Sequence, residues 1–583
     1  MDFGFINSIL RAEYFPPKDL WMTPLSINYY YFGHLTSAVM IKLSGIDPVV
    51  GYNLILATIF GLCLAGSFSI GANLYAFFSK RVSKATVFAG LISAFLVTLG
   101  GNLHTIYIFF QTYTPDSPVP FWQLPASLNP AGYWYPNATR FIPFTIHEFP
   151  SYSFVVADLH GHVLNIPFVL LTLAVLIKIF HQFHLEKSRQ LIKNGLHLAD
   201  FLLLGLLVAT SLMANVLDGP IYLLIIFLVV LSLQLNNLRF LPAIINSFKV
   251  TLIIAFLAII FSLPFWLAFK PFASGIGVLC APQFLVDRGY IGPFLFEVNH
   301  CARSPLWMLA ILWGFPYFLL AGFIIFVAKL LKSPRSLKLL NPADFLILVL
   351  TLGATILIII PEIFYAKDIY PAHYRANTVF KFGYQAFIIF GLLGGYIITR
   401  LLSLRKIPYY LILTPLFLLV AIYPYFAINS YYGITSNSIK PPQSLNGINY
   451  LFQLYPTDYQ AIMWLRDNIK GQPVILEAQG DSYTDYARVS ANTGLPTVIG
   501  WPVHEWLWRG SYDEAGKRST DVATLYQTSD LNVAKELIAK YNISYVFVGT
   551  LERQKYPTLN EEKFQILGQQ ILQSGNTRVY KLY

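Results

Sequence analysis

Residues 50–78 read VGYNLILATIFGLCLAGSFSIGANLYAFF, an apolar run that contains no Asp, Glu, Lys or Arg. An α-helix needs about 20 such residues to cross about 30 Å of hydrocarbon, so this run is long enough to span a bilayer. Similar runs recur along the chain and predict ten membrane-spanning helices. They cover residues 50–78, 85–102, 162–181, 199–216, 219–235, 248–268, 305–331, 343–360, 379–401 and 408–427.

The composition agrees with a chain that lies mostly in lipid. Its 583 residues are 56% hydrophobic and only 12% charged, and the mean hydropathy is +0.56. Soluble domains carry about 25% charged residues. The composition therefore predicts a polytopic α-helical membrane protein, whose first partner is the lipid bilayer.

The distribution of basic residues predicts the orientation of the spans. One set of connecting loops holds most of the Lys and Arg, for example Lys80, Arg81 and Lys84, and the positive-inside rule places such loops in the cytoplasm. The alternate connections are longer or poorer in basic residues, and ten spans put both chain ends outside with them. Much of the formal charge of +11 then lies beside anionic lipid, so nucleic-acid binding is not indicated. These predicted outer loops are residues 103–161, 269–304 and 361–378.

The predicted spans divide the chain into three regions. Residues 1–49 form a first outer loop, in which residues 28–45 are too short to span and predict a helix in the membrane interface. Residues 50–427 form the transmembrane domain. Residues 428–583 have lower hydropathy and predict a small extracytoplasmic α/β domain. We further expect a transmembrane helix upstream of Met1, and a multi-pass location in the plasma membrane.

Periodicity locates several elements of this last domain. Residues 456–470 and 530–541 are typical of helices. The runs PVILEA (473–478) and ISYVFVG (543–549), together with residues 497–500 and 577–582, are typical of strands.

Two of the three cysteines share one predicted outer loop. Cys63 lies inside a span, whereas Cys280 and Cys301 are 21 residues apart in the loop 269–304. A disulfide could join this pair on the oxidising side of the membrane.

Ionisable side chains are rare inside the spans and collect in the predicted outer segments, where we expect any chemistry. The first cluster contains Asp2, Glu13 and Asp19. Such carboxylates could serve as a general base or bind a cation, or they could be solvated loop acids.

The second cluster lies in HEFPSYSFVVADLHGHV, residues 147–163, just before a span. In an extended chain Asp158, His160 and His162 project to one side, whereas in a helix only positions 158 and 162 share a face. The group could hold a divalent cation, hydrogen-bond a substrate, or cap the following helix. The residues concerned are His147, Glu148, Asp158, His160 and His162.

The third cluster occupies PEIFYAKDIYPAHYRANTVFKFGYQ, residues 361–385. Its cations could hold a lipid phosphate by charge-assisted hydrogen bonds, or they could reach to lipid headgroups. The polar members are Glu362, Lys367, Asp368, His373, Arg375, Asn377 and Lys381.

A fourth cluster, RVSANTGLPTVIGWPVHEWLWRG at residues 488–510, mixes aromatic and polar side chains that could contact an acceptor or a headgroup, or simply anchor at the interface. Its candidate residues are His504, Glu505, Trp506, Trp508 and Arg509.

Several ordered motifs resemble one family. DFGFINSILRAEYFPPKDLW (2–21), INYYYFGH (27–34), FPSYSFVVADLHGHV (149–163), HYRANTVFKFGYQ (373–385) and GLPTVIGWPVHEWLWRG (494–510) are similar to the prokaryotic "YYY" membrane proteins of uncharacterised function. The match runs from residue 2 to about residue 555. That family is grouped by resemblance with the GT-C glycosyltransferases, which take a sugar from a polyprenyl-phosphate donor on the outer side.

This resemblance implies roles for particular residues. Asp2 resembles the general base of the superfamily and Asp19 a supporting acid, while Arg375 and Lys381 would stabilise the departing lipid phosphate. The implied reaction is inverting sugar transfer to an acceptor that the sequence does not identify.

Two other classes remain open. One is a transporter or flippase for a lipid or anionic solute, although the sequence lacks the convincing internal repeat of many transporters. The other is a scaffold that presents the C-terminal domain.

Overall fold

The structure is a computed structural model that describes residues 1–114, 117–185, 197–273, 275–330, 340–367, 372–402, 407–434 and 444–583. All ten apolar runs are helical in it, as the sequence predicts. The corresponding helices are Pro48–Ser79, Lys84–Thr98, Ile166–Leu185, Leu198–Ala214, Asp218–Gln234, Phe240–Trp266, Leu306–Leu330, Pro342–Ile359, Ala376–Leu402 and Ile407–Tyr432.

Not every one of these helices is long enough for a complete span. Within the described residues, seven helices are long and apolar enough, and an eighth span results if Lys84–Thr98 and Leu103–Phe109 count together despite the 72° bend between them. Leu198–Ala214 and Asp218–Gln234 have 17 residues each, so they reach only about 25 Å at 1.5 Å per residue. The predicted count of ten thus applies to the apolar helices, and seven or eight of them meet the length of a full span.

The chain forms two compact units. The first, here called the membrane unit, comprises Leu56–Ser262 and Ala273–Pro441. The second, here called the terminal unit, comprises Met1–Ile55, Leu263–Phe272 and Pro442–Tyr583.

Small residues bring two helices of the membrane unit together. Lys84–Thr98 packs on Ala376–Leu402, and Ser93 Oγ donates a hydrogen bond to the Leu392 carbonyl at 2.7 Å. A Cβ added to Gly395 would lie 2.2 Å from Ser93 Oγ. Only glycine allows this approach, which is how membrane helices commonly associate.

Two predicted outer loops of the membrane unit join in one small sheet. Its strands are β1 (Ile276–Val278), β2 (Tyr290–Ile291), β3 (Phe294–Leu295) and β4 (Phe364–Ala366), in the order β2-β3-β1-β4. β1 is parallel to β3 and antiparallel to β4. Because β1 belongs to the loop 269–304 and β4 to the loop 361–378, these two loops lie on the same side of the membrane. Cys280 and Cys301 form a disulfide in the first of them, which confirms the bond that the sequence left open.

The terminal unit is built on a second four-stranded sheet. Its strands are β5 (Val474–Leu476), β6 (Ile543–Val548), β7 (Gly568–Ser574) and β8 (Thr577–Leu582), in the order β5-β6-β8-β7. β5 is parallel to β6, whereas β8 is antiparallel to both β6 and β7. Helices of this unit are Asp2–Arg11, Phe32–Ser44, Asn449–Leu454, Pro456–Asn468, Arg488–Thr493, Pro502–Arg509, Asp513–Gln527, Leu531–Tyr541, Thr550–Lys555 and Glu562–Leu567.

Most predicted elements of this region are present, and one prediction is wrong. The helices at 456–470 and 530–541 and the strands at 473–478, 543–549 and 577–582 are confirmed. Residues 497–500 are not a strand. Thr497 makes a single bridge to Ile475, and the Thr497 and Gly500 amides donate to the carbonyls of Leu20 and Trp21. Segment 497–500 is therefore bonded partly to the N-terminal segment, so it does not extend the sheet.

A buried ion network connects the sheet to the helices of the terminal unit. Arg488 Nη2 lies 2.7 Å from Asp458 Oδ2 and 2.8 Å from Glu552 Oε2, and all three side chains are fully buried. Thr577 Oγ1 and the Ala478 amide complete the carboxylate shells. Removing one member would leave uncompensated buried charge, typically at a cost of about 3–5 kcal/mol.

The disulfide predicts the thiol content of the folded chain. Denatured without reductant, the full chain should react with one equivalent of a thiol-alkylating reagent, at Cys63, because Cys280 and Cys301 are bonded to each other. After reduction it should react with three equivalents. Mass spectrometry measures both values. The control variant Cys63→Ser should react with no equivalent before reduction and with two equivalents after it. Three equivalents before reduction, in protein purified without reductant, would contradict the bond.

Candidate functional site

Two carboxylates and one imidazole converge in the membrane unit. One potential ligand atom each from Glu148, Asp158 and His162 lies within 4.8 Å of the other two. His162 Nε2 is 3.7 Å from Asp158 Oδ2 and 4.0 Å from Glu148 Oε2. We call these three residues the acidic group.

The loop before the span positions the acidic group through local backbone structure. The short helix Pro150–Val155 starts with proline, which suits the first helical position. Ala157 then turns the chain with a positive φ of 54°. The helix Gly161–Leu164 begins after Asp158, so His162 lies in a helix and Asp158 does not. Neither fully extended nor fully helical structure brings them together; the turn does.

Neighbouring side chains fix the orientation of Glu148 and His162. Arg140 Nη2 donates to Glu148 Oε1 at 2.6 Å, which leaves Oε2 directed toward His162. Ser153 Oγ lies 3.3 Å from His162 Nε2. The His162 ring also packs edge-on against Phe380 and Tyr384.

His147, another histidine of this loop, has a structural role. The Phe141 amide donates to His147 Nε2 at 2.8 Å, so this nitrogen carries no proton. Burial lowers the pKa of His147 well below its ordinary value. The neutral ring therefore pins the loop next to Glu148.

A buried ammonium lies close to the acidic group. Lys381 is in the second turn of the helix Ala376–Leu402, and its Nζ lies 4.7 Å from the centroid of the Phe380 ring, which also packs against the His162 ring. The carboxylates whose charges act on Lys381 are those of Asp218, Glu148 and Asp158. Asp218 is fully buried and accepts a hydrogen bond from Asn165 Nδ2 at 2.7 Å. Acidic and basic groups of the membrane unit thus lie near one another although they belong to three separate parts of the chain: the loop 103–161, the start of the helix Asp218–Gln234 and the start of the helix Ala376–Leu402.

The acidic group fits a divalent cation by its chemistry. Carboxylate oxygens suit Mg²⁺ and Mn²⁺, and imidazole suits Zn²⁺ and other transition metals. From the sequence, Asp158, His160 and His162 are possible ligands of a divalent cation. The structure adds Glu148, while the His160 ring lies beside the group, 5.6 Å from the His162 ring between centroids.

In the third cluster, Arg375 is engaged within the protein. Its Nη1 donates to Glu362 Oε1 at 2.9 Å and its Nη2 to Ser304 Oγ at 3.0 Å. Glu362 also accepts from the Ser304 amide at 2.7 Å. These bonds connect loop 361–378 to the start of the helix Leu306–Leu330.

His373 and Lys367 of this cluster also make contacts between loops. The His373 ring packs edge-on against Phe144, which belongs to the loop 103–161. Lys367 Nζ donates to Glu297 Oε1 at 2.7 Å, and Tyr365 donates to Glu297 Oε2 at 2.9 Å. Asp368 lies outside the described residues.

In the terminal unit, Asp2 lies against a histidine to which the sequence assigned no role. Asp2 is the first residue of the helix Asp2–Arg11, where a carboxylate is favoured by the helix dipole. Its Oδ1 lies 2.8 Å from Nε2 of His34, whose side chain is fully buried. The only sequence signal was the position of His34 in the motif INYYYFGH.

Asp19 and the fourth cluster form a second network in the terminal unit. Arg509 bridges the two carboxylates: its Nη2 lies 2.5 Å from Asp19 Oδ2, and its Nε lies 2.7 Å from Glu505 Oε2. The Trp21 amide donates to Asp19 Oδ1 at 2.8 Å. Asp19 therefore connects the N-terminal segment to the helix Pro502–Arg509.

Burial changes the acidity of both carboxylates in this network. It raises the pKa of Glu505 to about 8, with a further contribution from the nearby charge of Asp19. Burial also raises the pKa of Asp19, against the opposing effect of Arg509. The environment thus favours one bound proton near neutral pH.

Aromatic rings cover this network. Trp508 stacks parallel to Trp21 with 6.1 Å between centroids, and the His504 ring packs edge-on against Trp508 at 5.4 Å. His504 Nδ1 also lies 2.6 Å from Ser482 Oγ. His504, Glu505 and Trp508 are buried, so these contacts are internal to the unit.

Three residues near the acidic group escaped the sequence analysis. Asp218, Ser153 and Tyr384 carry no motif that singles them out. The one available signal was Asp218, a carboxylate in the two-residue connection between apolar runs, where an unsolvated charge is costly.

The described helices and the small second sheet define a multi-span α-helical membrane protein with an α/β region. The chain belongs to a family described as uncharacterized membrane protein (DUF2298), whose model matches residues 1–345 and 323–390. This confirms the family expected from the ordered motifs. No curated protein sequence matches the chain.

Several solved structures of one archaeal enzyme are similar to this chain. The Archaeoglobus fulgidus oligosaccharyltransferase tethered to an acceptor peptide has 12% sequence identity and a TM-score of 0.41, and the match covers 94% of this chain and 64% of that chain. The same enzyme, AglB, in complex with an inhibitory peptide and a dolichol-phosphate has 11% sequence identity and a TM-score of 0.39, and the match covers 94% of this chain and 64% of that chain. Its complex with Zn and sulfate has 12% sequence identity and a TM-score of 0.39, and the match covers 94% of this chain and 63% of that chain. The chain therefore spans about 64% of the length of that protein.

The network around Glu505 predicts how stability depends on pH. Because its folded pKa of about 8 exceeds the unfolded value of about 4.3, the folded state holds a proton that the unfolded chain has released. Stability should fall as the pH rises from about 4 to about 8, by at most about 1.4 kcal/mol per pH unit. Glu505→Gln should flatten this slope and raise the Tm at pH 8 by several degrees.

Thermal unfolding of the full chain from pH 5 to pH 9 measures this effect. Glu514→Gln is the matched control, because Glu514 is a half-exposed carboxylate that also pairs with an arginine. A lower Tm for Glu505→Gln at pH 8 would mean that the charged form is the stabilising one.

Proposed function

We propose that the protein is a membrane glycosyltransferase of GT-C type that transfers a sugar from a polyprenyl-phosphate donor to an acceptor on the extracytoplasmic side. The observation that carries the proposal is the acidic group of Glu148, Asp158 and His162 with Lys381 beside it. A bound cation and an ammonium together suit a phosphate at the membrane surface. Membership in a membrane-protein family supports the setting.

The disulfide supports the outer side as the place of reaction. Disulfides persist in oxidising compartments outside the cytoplasm. Cys280 and Cys301 lie in the loop that β1 and β4 join to loop 361–378, and Lys381 follows that second loop. Two long apolar helices, Ala376–Leu402 and Ile407–Tyr432, follow loop 361–378, and with both crossing the membrane the C-terminal α/β region would lie outside as well.

In the proposed reaction, residues of the membrane unit receive the phosphate end of the donor. Glu148, Asp158 and His162 would hold a divalent cation, which when bound neutralises phosphate charge. Lys381 would place a second positive charge against the leaving phosphate. Its burial strengthens this interaction, because screening by water is weak there.

Asp2 keeps the general-base role that the resemblance implies. It would remove the proton from the acceptor hydroxyl while that oxygen bonds to the anomeric carbon. The bond from this carbon to the phosphate oxygen breaks, and the lipid phosphate leaves with the electron pair. His34 Nε2, 2.8 Å from Asp2 Oδ1, would orient the carboxylate.

Arg375 takes a different part from the one the resemblance implies. Because its guanidinium is bonded to Glu362 and Ser304, we propose that it positions loop 361–378. The phosphate contact then falls to Lys381.

One observation favours the alternative, a transporter or flippase. The helices Lys84–Thr98 and Leu103–Phe109 form a broken pair bent by 72°, and discontinuous helices are common at transporter binding sites. A transporter would move the lipid-linked or anionic solute without breaking a sugar–phosphate bond.

The proposal predicts a metal-dependent transfer activity. In proteoliposomes that contain the full chain, labelled polyprenyl-phosphate hexoses and a mixture of hydroxyl acceptors, free polyprenyl phosphate should be released. EDTA should stop the release and Mn²⁺ should restore it. Asp158→Asn should slow it about 10²- to 10³-fold, because a charge stabiliser of the transition state is lost.

Asp287→Asn is the matched control, since Asp287 is an exposed carboxylate that pairs with Gln283. Electron paramagnetic resonance of bound Mn²⁺ provides a readout that does not depend on turnover, and Asp158→Asn should weaken this signal. Accumulation of intact donor or anion across the vesicle membrane, with no phosphate released, would favour transport and refute transfer.

A further inference from the structure

The terminal unit contains a cavity of about 470 Å³ that the proposed chemistry does not use. This volume lies in the range of small-molecule binding sites. The cavity shares Trp21 with the aromatic cover of the Asp19–Arg509–Glu505 network, and its Trp501 ring packs against Trp21 with 4.6 Å between centroids. Its aromatic lining consists of Phe3, Trp21, Tyr52, Tyr450, Tyr483, Tyr486 and Trp501.

One loop supplies a continuous stretch of the cavity wall. Residues 483–487, Tyr-Thr-Asp-Tyr-Ala, all line it. The loop starts at Tyr483 with φ 64° and ends at Ala487 with φ 60°, and both are non-glycine residues in the left-handed region. Such conformations cost about 1–3 kcal/mol each and are concentrated at binding sites.

Exposure differs between the two ends of this aromatic wall. Tyr483 is 86% exposed, whereas Trp501 is only 9% exposed. The centroids of the two rings are 5.7 Å apart. Tyr483 therefore stands at the rim and Trp501 lies deeper. The Trp501 indole donates to the Tyr486 carbonyl at 3.0 Å, which holds the deeper ring against the loop.

Asp485 and Asn53 bring hydrogen-bond acceptors to the lining. Asp485 Oδ2 accepts a hydrogen bond from Tyr455 at 2.9 Å, and in the part of the chain that the structure describes its Oδ1 keeps capacity for a ligand hydroxyl. Asn53 donates to the Leu445 carbonyl at 2.8 Å through Nδ2, and its amide oxygen belongs to the same wall.

The charges around the cavity disfavour an anionic ligand. Arg488 is the one basic residue among the described lining residues, and it is neutralised by Asp458 and Glu552 at 2.7 and 2.8 Å. With Asp485 added, the cavity is acidic. A phosphate or carboxylate would be repelled, whereas a neutral polyhydroxy ligand would not.

We propose that this cavity binds a neutral saccharide. The rings of Tyr483 and Trp501 offer negative faces to the weakly positive C–H groups of a sugar ring, while Asp485 and Asn53 accept its hydroxyls. Under the proposed function, the saccharide is the acceptor or part of it. That assignment of role rests on the proposed function, but the binding itself does not.

Glycan-array binding of the fluorescently labelled full chain in detergent micelles tests this inference. We expect binding to one or more neutral saccharides, weakened at least about 10-fold by Tyr483→Ala and by Asp485→Asn. Tyr583→Ala and Asp467→Asn are the matched controls, because Tyr583 is 93% exposed and the Asp467 side chain 62% exposed, and neither lines the cavity. Both controls should bind like the wild type.

Tyr483→Ala should fold normally, since most of its side chain is in solvent, and equal Tm values would verify this. Titration of the strongest array saccharide, followed by tryptophan fluorescence, gives the same comparison in solution. Failure of the wild type to bind any neutral saccharide, or binding that both cavity variants retain, overturns the inference. Saccharide binding without release of polyprenyl phosphate would keep this inference and refute the proposed function.

Discussion

The cost of placing an ionised group in hydrocarbon determines the design of the membrane unit. Two charged side chains on its helices are paired within the protein: Lys178 with Asp200, and Arg400 with Asp344, at 3.1 and 3.0 Å. Lys381 differs from these two: in the part of the chain that the structure describes it has no carboxylate within ion-pair distance, and the acids whose charges act on it are Asp218, Glu148 and Asp158. A buried cation held by several acids at a distance can exchange part of that balance for a ligand. A tight pair such as Arg375–Glu362 would first have to break.

The same constraint operates differently in the terminal unit. There Arg488 and Arg509 each join two carboxylates that arrive from separate parts of the chain. Such networks cost desolvation energy, but each donor has a defined partner, so they fix which segments lie together. Arg509 brings residue 19 to the helix Pro502–Arg509, and Arg488 brings together Asp458 and Glu552. The walls of the saccharide cavity are set by these charges as much as by apolar packing.

The sequence predicted the parts of the fold that depend on local pattern. Apolar runs gave all ten helices, and periodicity gave the strands β5, β6 and β8, since these signals are contained in short windows. It misjudged residues 497–500, whose backbone bonds to Leu20 and Trp21, nearly 480 residues earlier. The same limit applies to the site: Asp158 and His162 were found from their spacing, but their approach depends on the turn at Ala157. Asp218 and His34 become neighbours of site residues only through tertiary packing, which no local window contains.

The outer loops provide the rigidity that the proposed phosphate site would need. Electrostatic stabilisation is effective when the charges are already in place before the reaction, since no energy is then spent on reorganising them. Three separate restraints act on the loops before Lys381: the disulfide at Cys280, the pairing of β1 with β4, and the bonds of Arg375 to Glu362 and Ser304. His147, kept neutral by burial, fixes the loop that carries Glu148 and Asp158. The acidic group and Lys381 therefore lie in or next to connecting loops, but the backbone of these loops is restrained. Arg375, whose guanidinium suits phosphate by its chemistry, is bonded instead to Glu362 and Ser304, and for this reason the proposal gives the phosphate contact to Lys381.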